Sequence, residues 1–278
     1  MTKLRTLTAL ILAPFAIAGI LLLPTPWLVT LAAVLFLAGL WEWLRLADVD
    51  DALARSVLLV ANLALMVAIV WGSQSSIGGS LVLFRLATVV GVIWWLLAAL
   101  WLKHYDFGSN HDSHTRMFKL AAGTLAIVPA WCAAAWIHAE PPHGNRWLLI
   151  ALLVVWAADT GAYFVGRKFG KHKLSPRISP NKTVEGMVGG LLAGIATALL
   201  LAPLAGASVA QLPLAALVAG IAAGFSVIGD LFESLLKRHV GVKDSGSMIP
   251  GHGGLLDRID GVIAALPAFA LGKAWLGF

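Results

Sequence analysis

The chain has 278 residues, of which 59% are hydrophobic and only 12% charged, with a mean hydropathy of +0.86. That composition lies outside the range of water-soluble globular proteins, calls for lipid as solvent and leaves no room for a sizeable soluble domain. The formal net charge of +6 resides in short loops between apolar runs, so it points to membrane lipid, and anionic lipid in particular, and not to nucleic acid.

A helix needs about 20 predominantly apolar residues to cross the hydrocarbon core. Runs of that kind predict an all-α integral membrane protein of about nine transmembrane helices, near 7–23, 27–47, 53–72, 81–102, 118–138, 147–166, 186–205, 212–236 and 255–276. The whole of 1–278 reads as a single polytopic membrane domain with no internal repeat. The first run follows Lys3 and Arg5 and contains Ala16-Ile17-Ala18, which resembles a cleavage site, but it stays apolar through Leu23; the expectation is an uncleaved first helix. Turn-forming clusters at 24–26, 73–80, 103–116 and 141–145 separate the spans. The single cysteine, Cys132, falls inside a span and reads as a small buried side chain. Gly186, Gly189, Gly190 and Gly194 in the seventh span, and Gly220 and Gly224 in the eighth, read as close helix packing. Most of the 12 Trp residues read as span-end anchors or packing groups.

Loops rich in Lys and Arg stay in the cytoplasm. With the N-terminus inside, all of the 20 Lys and Arg except Arg85, Arg146 and Lys273 fall in or beside the inside segments. The expected topology is therefore N-terminus cytoplasmic and C-terminus outside. The basic loops, and any chemistry they carry, are expected on the cytoplasmic side of the membrane.

A charge within a span costs at least a few kcal/mol and calls for a reason. Five acidic residues qualify. Asp159 precedes Arg167 by eight positions, roughly 12 Å along a helix. Asp230 and Glu233 share one helical face near the inner end of the eighth span, with Lys237 one turn further. Asp257 and Asp260 repeat that spacing at the start of the ninth, with Arg258 between them. Each alone reads as well as an ion pair or helix-end charge; together, at one membrane surface, they suit Mg²⁺, a hard cation bound by carboxylates and substrate phosphates. Two basic, glycine-bearing loops lie beside them, at 166–183 and 237–258. In the second, Pro250-Gly251-His252-Gly253-Gly254 would let backbone N–H groups converge on an anion. His104, His111 and His114 share another inside loop, where a solvated polar loop is the favoured reading over a metal site. The combination points to an enzyme handling a phosphorylated lipid, a polyphosphate, or both.

Three stretches carry a family resemblance. They are Ser234-Leu235-Leu236-Lys237-Arg238 with Lys243-Asp244 and the run from His252-Gly253-Gly254 to Asp257-Arg258-Ile259-Asp260; Asp159-Thr160-Gly161-Ala162-Tyr163 through Gly166-Arg167, Ile178-Ser179-Pro180 and Lys182-Thr183-Val184-Glu185-Gly186; and Gly229-Asp230-Leu231-Phe232-Glu233. Together they resemble the phosphatidate cytidylyltransferase family over 159–260, the expected catalytic signature region. Asn181 and Val184 stand where family members often carry Gly and Trp, and the N-terminal half matches only as a run of helices after a short basic start. The resemblance implies transfer of the cytidylyl group of CTP to phosphatidic acid, giving CDP-diacylglycerol and pyrophosphate in phospholipid biosynthesis. It implies Mg²⁺ as cofactor and leaves open a second divalent ion or an additional monovalent cation. Metal contact is expected from Asp230, Asp257 and Asp260, and catalytic roles from these with Lys237. Phosphate contact is expected from Lys182, Lys237, Arg238, Lys243, His252, Gly253, Gly254 and Arg258, with support from Asp159, Glu185, Glu233, Ser234 and Asp244. A homodimer stays open. The rival readings are a CTP-dependent lipid-alcohol kinase and an ion-coupled transporter.

Overall fold

The computed structural model describes residues 13–74, 80–249 and 253–278. Eight helices among them are long and apolar enough to cross a membrane: α2 (Thr25–Leu46), α3 (Ala52–Gln74), α4 (Val82–Trp101), α5 (Ser113–Ala139), α6 (Gly144–Phe169), α7 (Val184–Leu201), α8 (Leu212–His239) and α9 (Leu256–Leu276). They match eight of the expected spans to within a few residues. A shorter apolar helix, α1 (Ala13–Leu22), precedes them; the rest of the first expected span, residues 7–12, lies outside the described residues. The departure from an all-α expectation is a two-stranded antiparallel hairpin, β1 (Lys173–Ser175) and β2 (Ser179–Thr183), inside the basic 166–183 loop. Strands this short carry too few residues for an alternating pattern to be read.

The expected inside segments that fall among the described residues gather at one end of the bundle. Lys119 at the start of α5 pairs with Asp48 beyond α2 (2.9 Å). His239 at the end of α8 meets the Tyr105 carbonyl after α4 (2.7 Å). Arg177 of the hairpin turn pairs with Asp106 (2.8 Å) and lies over the Tyr105 ring. Described segments of the other loops meet at the opposite end, where Lys273 of α9 pairs with Glu140 after α5 (2.9 Å) and His138 bonds Thr25 (2.9 Å). Helices crossing one bilayer in succession produce this sorting.

Within the bundle, α5 is the central helix. Its small residues, including Ala122, Gly123, Ala126, Ala130, Cys132 and Ala133, are buried and let its neighbours approach. Outer helices show lipid an apolar face; α3 exposes Leu53, Val57, Val60 and Trp71. The seventh-span glycines pack as expected: a side chain on Gly190 would meet the Ala158 carbonyl of α6, and one on Gly189 would meet Val165. In the eighth span Gly220 faces Ile195, whereas Gly224 has nothing within 4 Å, so packing does not account for it.

Four of the Trp residues act as packing groups that position the acid-bearing helices. Phe232 of α8 is fully buried among Trp43 of α2 (5.9 Å between centroids) and Trp94, Trp95 and Trp101 of α4 (5.7, 6.0 and 5.2 Å), the last three meeting it edge-on. Pro267 in α9 has no N–H to donate to the Ile263 carbonyl one turn back. The Trp95 indole N–H bonds that carbonyl instead (3.1 Å). Thus α4 holds both α8 and α9, the helices that carry four of the five intramembrane acids.

Candidate active site

Asp230, Glu233, Ser234 and Lys237 fall on adjacent turns of α8, opposite the caged Phe232. The first turns of α9 come directly against this helix because Gly229 has no side chain; a Cβ there would collide with the Asp260 carbonyl. The hairpin closes a third side. Thr183 ends β2 and caps α7 by accepting the Gly186 N–H (3.1 Å), which sets Lys182 just before a helix start.

Two groups of charges result. In the first, Lys182 of β2 pairs with Asp230 of α8, both partly exposed. Asp159 of α6 lies within electrostatic range of Asp230, Lys182 and Arg258, and Asp260 of α9 within range of Asp230, Lys182 and Asp159. Asp159, Lys182 and Asp230 line a cavity of about 480 Å³ whose remaining wall is largely small and apolar, with Ala162, Leu191 and Val227 from α6, α7 and α8. In the second group, Lys237 pairs with Glu233 and lies 2.7 Å from Asp257 Oδ1. Asp257 also accepts the N–H groups of Ser245 (3.1 Å) and Gly254 (2.9 Å). Lys237 is therefore held between two carboxylates, and Asp257 closes the loop between α8 and α9.

The three expected metal ligands take different places. Asp230 lies in the first group, Asp260 lies within range of that group and of Glu233 in the second, and Asp257 is engaged by Lys237 and two backbone amides. Among the described residues, no three or more His, Cys, Asp or Glu side chains form a group able to hold a metal by themselves. Asp159, Asp230 and Asp260 offer oxygen donors of the type Mg²⁺ takes, as one or two carboxylates beside water and substrate phosphates and not as a complete ligand set.

Residues 3–274 match the cytidylyltransferase family model. The chain belongs to the cytidylyltransferase family. A relative from Pseudomonas aeruginosa, named phosphatidate cytidylyltransferase, is 38% identical over 270 residues, 97% of this chain and 96% of the relative. One of the same name from Haemophilus influenzae is 33% identical over 284 residues, covering 97% and 98%. A third, from Bacillus subtilis, is 49% identical over 129 residues, covering 45% of this chain and 46% of the relative.

The other residues singled out in this cytidylyltransferase-family chain take varied places. Ser234 donates to Asp230 Oδ1 (3.4 Å). Arg238 donates its Nε–H to the Ile178 carbonyl (3.1 Å), tying α8 to the hairpin turn. Glu185 lies away from both acid groups, accepting the N–H of Lys171 (3.0 Å) and of His172 (3.2 Å) where the chain enters the hairpin. Lys243 is exposed on the α8–α9 loop, and Asp244 sits against Gly253, whose φ of +83° favours glycine. His252 lies outside the described residues. Of the loop histidines, His111 pairs with Asp48 (3.0 Å) and His104 bonds the Leu100 carbonyl (3.3 Å).

One residue escaped the sequence reading. Glu42 of α2, buried near the end of its span, accepts the Ser245 hydroxyl (2.9 Å) and the Leu256 N–H (2.8 Å). The signal was the one used for the other acids, a carboxylate inside an apolar run.

Proposed function

We propose that the chain transfers the cytidylyl group of CTP to phosphatidic acid, releasing pyrophosphate and leaving CDP-diacylglycerol in the membrane. The observation that carries this reading is the cavity between α6, α7 and α8. Its lining sets apolar side chains of three spans beside the charged Asp159, Arg167, Lys182 and Asp230. Such a cavity suits a diacyl lipid whose phosphate must reach charged groups. The attacking atom is already an anionic phosphate oxygen, so no strong general base is needed. The difficulty is bringing two polyanions together.

Lys182 and Arg258 are placed to offset phosphate charge beside the carboxylates, and Lys243 is exposed on the adjoining loop to meet a nucleotide from water. Mg²⁺, held by Asp230 and Asp260 with Asp159 nearby, would neutralise phosphate charge and help align the attacking and leaving oxygens. Lys237 keeps Glu233 and Asp257 paired and so holds the shape of the loop. The match to residues 3–274 supports reading the chain as one polytopic domain. The Lys/Arg distribution supports an N-terminus and an active site on the cytoplasmic face of the inner membrane.

The test is product identification: purified protein in detergent with phosphatidate, labelled CTP and Mg²⁺. Labelled CDP-diacylglycerol with pyrophosphate is expected. CDP with a phosphorylated lipid would mark a kinase, and no chemical product would leave only transport.

A further inference from the structure

The loop between α8 and α9 leaves the first helix at Gly241 and returns at Leu255. It carries Lys243, Asp244 and the glycines expected around phosphate. Its two limbs meet at a single backbone bridge, Ile249 N–H to the Gly253 carbonyl (3.0 Å). Below that bridge, two carboxylates hold the limbs together. Asp257 takes the N–H of Ser245 from the outgoing limb and of Gly254 from the returning one. Glu42 takes the hydroxyl of the same Ser245 and the N–H of Leu256, both on Oε2. Asp257 belongs to the helix that the loop enters. Glu42 comes from α2, 203 residues before Ser245 in sequence, and is 2% exposed.

The packing around Glu42 leaves no slack. A side chain on Gly246 would collide with its carboxylate, and one on Gly254 would fall between Ser245 Oγ and Glu42 Oε2. The other oxygen, Oε1, is buried without a hydrogen-bond partner among the described residues. A carboxylate is costly to bury on an apolar helix, and a hydrocarbon side chain would serve helix packing better. Here its use is to accept from both limbs of the loop at once.

We infer that Glu42 is a positioning residue for cytidylyl transfer: through Ser245 and Leu256 it holds the two described limbs of the loop, 241–249 and 253–255, together and sets Lys243, Gly253 and Gly254 against the substrate phosphates. The inference rests on the proposed reaction. It assigns the N-terminal half a part in the active site beyond spanning the membrane.

The experiment compares Glu42→Ala, Glu42→Gln, Ser245→Ala and Lys243→Ala for kcat/KM toward CTP, with thermal unfolding in detergent as a control. Misplacing substrate-holding groups by about an ångström costs on the order of 10²-fold, which is the fall expected for Glu42→Ala. Glu42→Gln keeps one oxygen for both donors and should restore activity to within a few-fold of wild type. Ser245→Ala removes one hydrogen bond to a charged acceptor and should cost about tenfold, which decides the matter should Glu42→Ala fail to fold. If Glu42 acts through the loop, Glu42→Ala combined with Lys243→Ala falls little below the worse single variant. Multiplying effects, an inactive but folded Glu42→Gln, or full activity in Ser245→Ala would overturn the inference. A wild-type protein that forms no CDP-diacylglycerol would instead overturn the reaction on which it rests.

Discussion

Asp230→Asn separates the catalytic use of a charge from its structural use. The carboxylate pairs with Lys182 and accepts the Ser234 hydroxyl, and both partners of the ion pair are partly exposed. Such a pair contributes about 1 kcal/mol or less. Against that loss stands a gain, because the asparagine removes a charge whose repulsion bears on the neighbouring Asp159 and Asp260 carboxyls. The two effects oppose each other, so without divalent cation the variant should unfold within a few degrees of wild type. Activity should respond differently: removing one electrostatic contact made to the transition state typically costs about 10²–10³-fold. The assay has two readouts, liponucleotide formation and thermal unfolding with and without Mg²⁺. At a Mg²⁺ concentration about 100 times its Kd, wild type should gain about 2.7 kcal/mol, whereas Asp230→Asn should gain little. Full turnover in the variant, or equal stabilisation of both proteins by Mg²⁺, would remove the metal from this account.

Phe232→Ala should cost about 3–5 kcal/mol, because the side chain is fully buried among four Trp rings; an unchanged unfolding midpoint would mean that the cage does not hold α8. In a Cys132→Ser background, a cysteine at exposed Ser208 should react with an impermeant thiol reagent outside intact cells and one at exposed Ser247 should not, and the reverse pattern would invert the topology. A single in-line displacement should invert configuration at the α-phosphorus of CTP. Chirally thio-substituted CTP tests this, and net retention would require a covalent intermediate on a side chain.

The spans were legible because lipid solvation is a condition on composition. A run of about 20 apolar residues is as visible in one dimension as in three, and eight helices follow it. The acids of α8 and α9 were legible for a related reason: burying a charge in an apolar segment requires a use, and helical periodicity places residues three and four apart on one face. What spacing does not determine is which opposite charge answers each acid. Lys237 shares a helical face with Asp230 and Glu233, yet it serves Glu233 and Asp257, while Asp230 takes Lys182 from the hairpin. Asp257, expected at the metal with Asp230 and Asp260, also accepts two amides of the loop, which its spacing from Asp260 does not disclose.

Glu42 shows where the boundary falls. Its presence inside an apolar run was open to view; its purpose was not, because its hydrogen-bond partners are more than 200 residues away along the chain. Composition and periodicity determine which segments enter the membrane and which side chains are out of place there. Helix contacts, set by small residues such as Gly229 and by the Trp cage around Phe232, decide which of those side chains meet. A buried charge has lost its hydration and needs groups in direct contact to replace it, so its partner is chosen by the packing of distant segments.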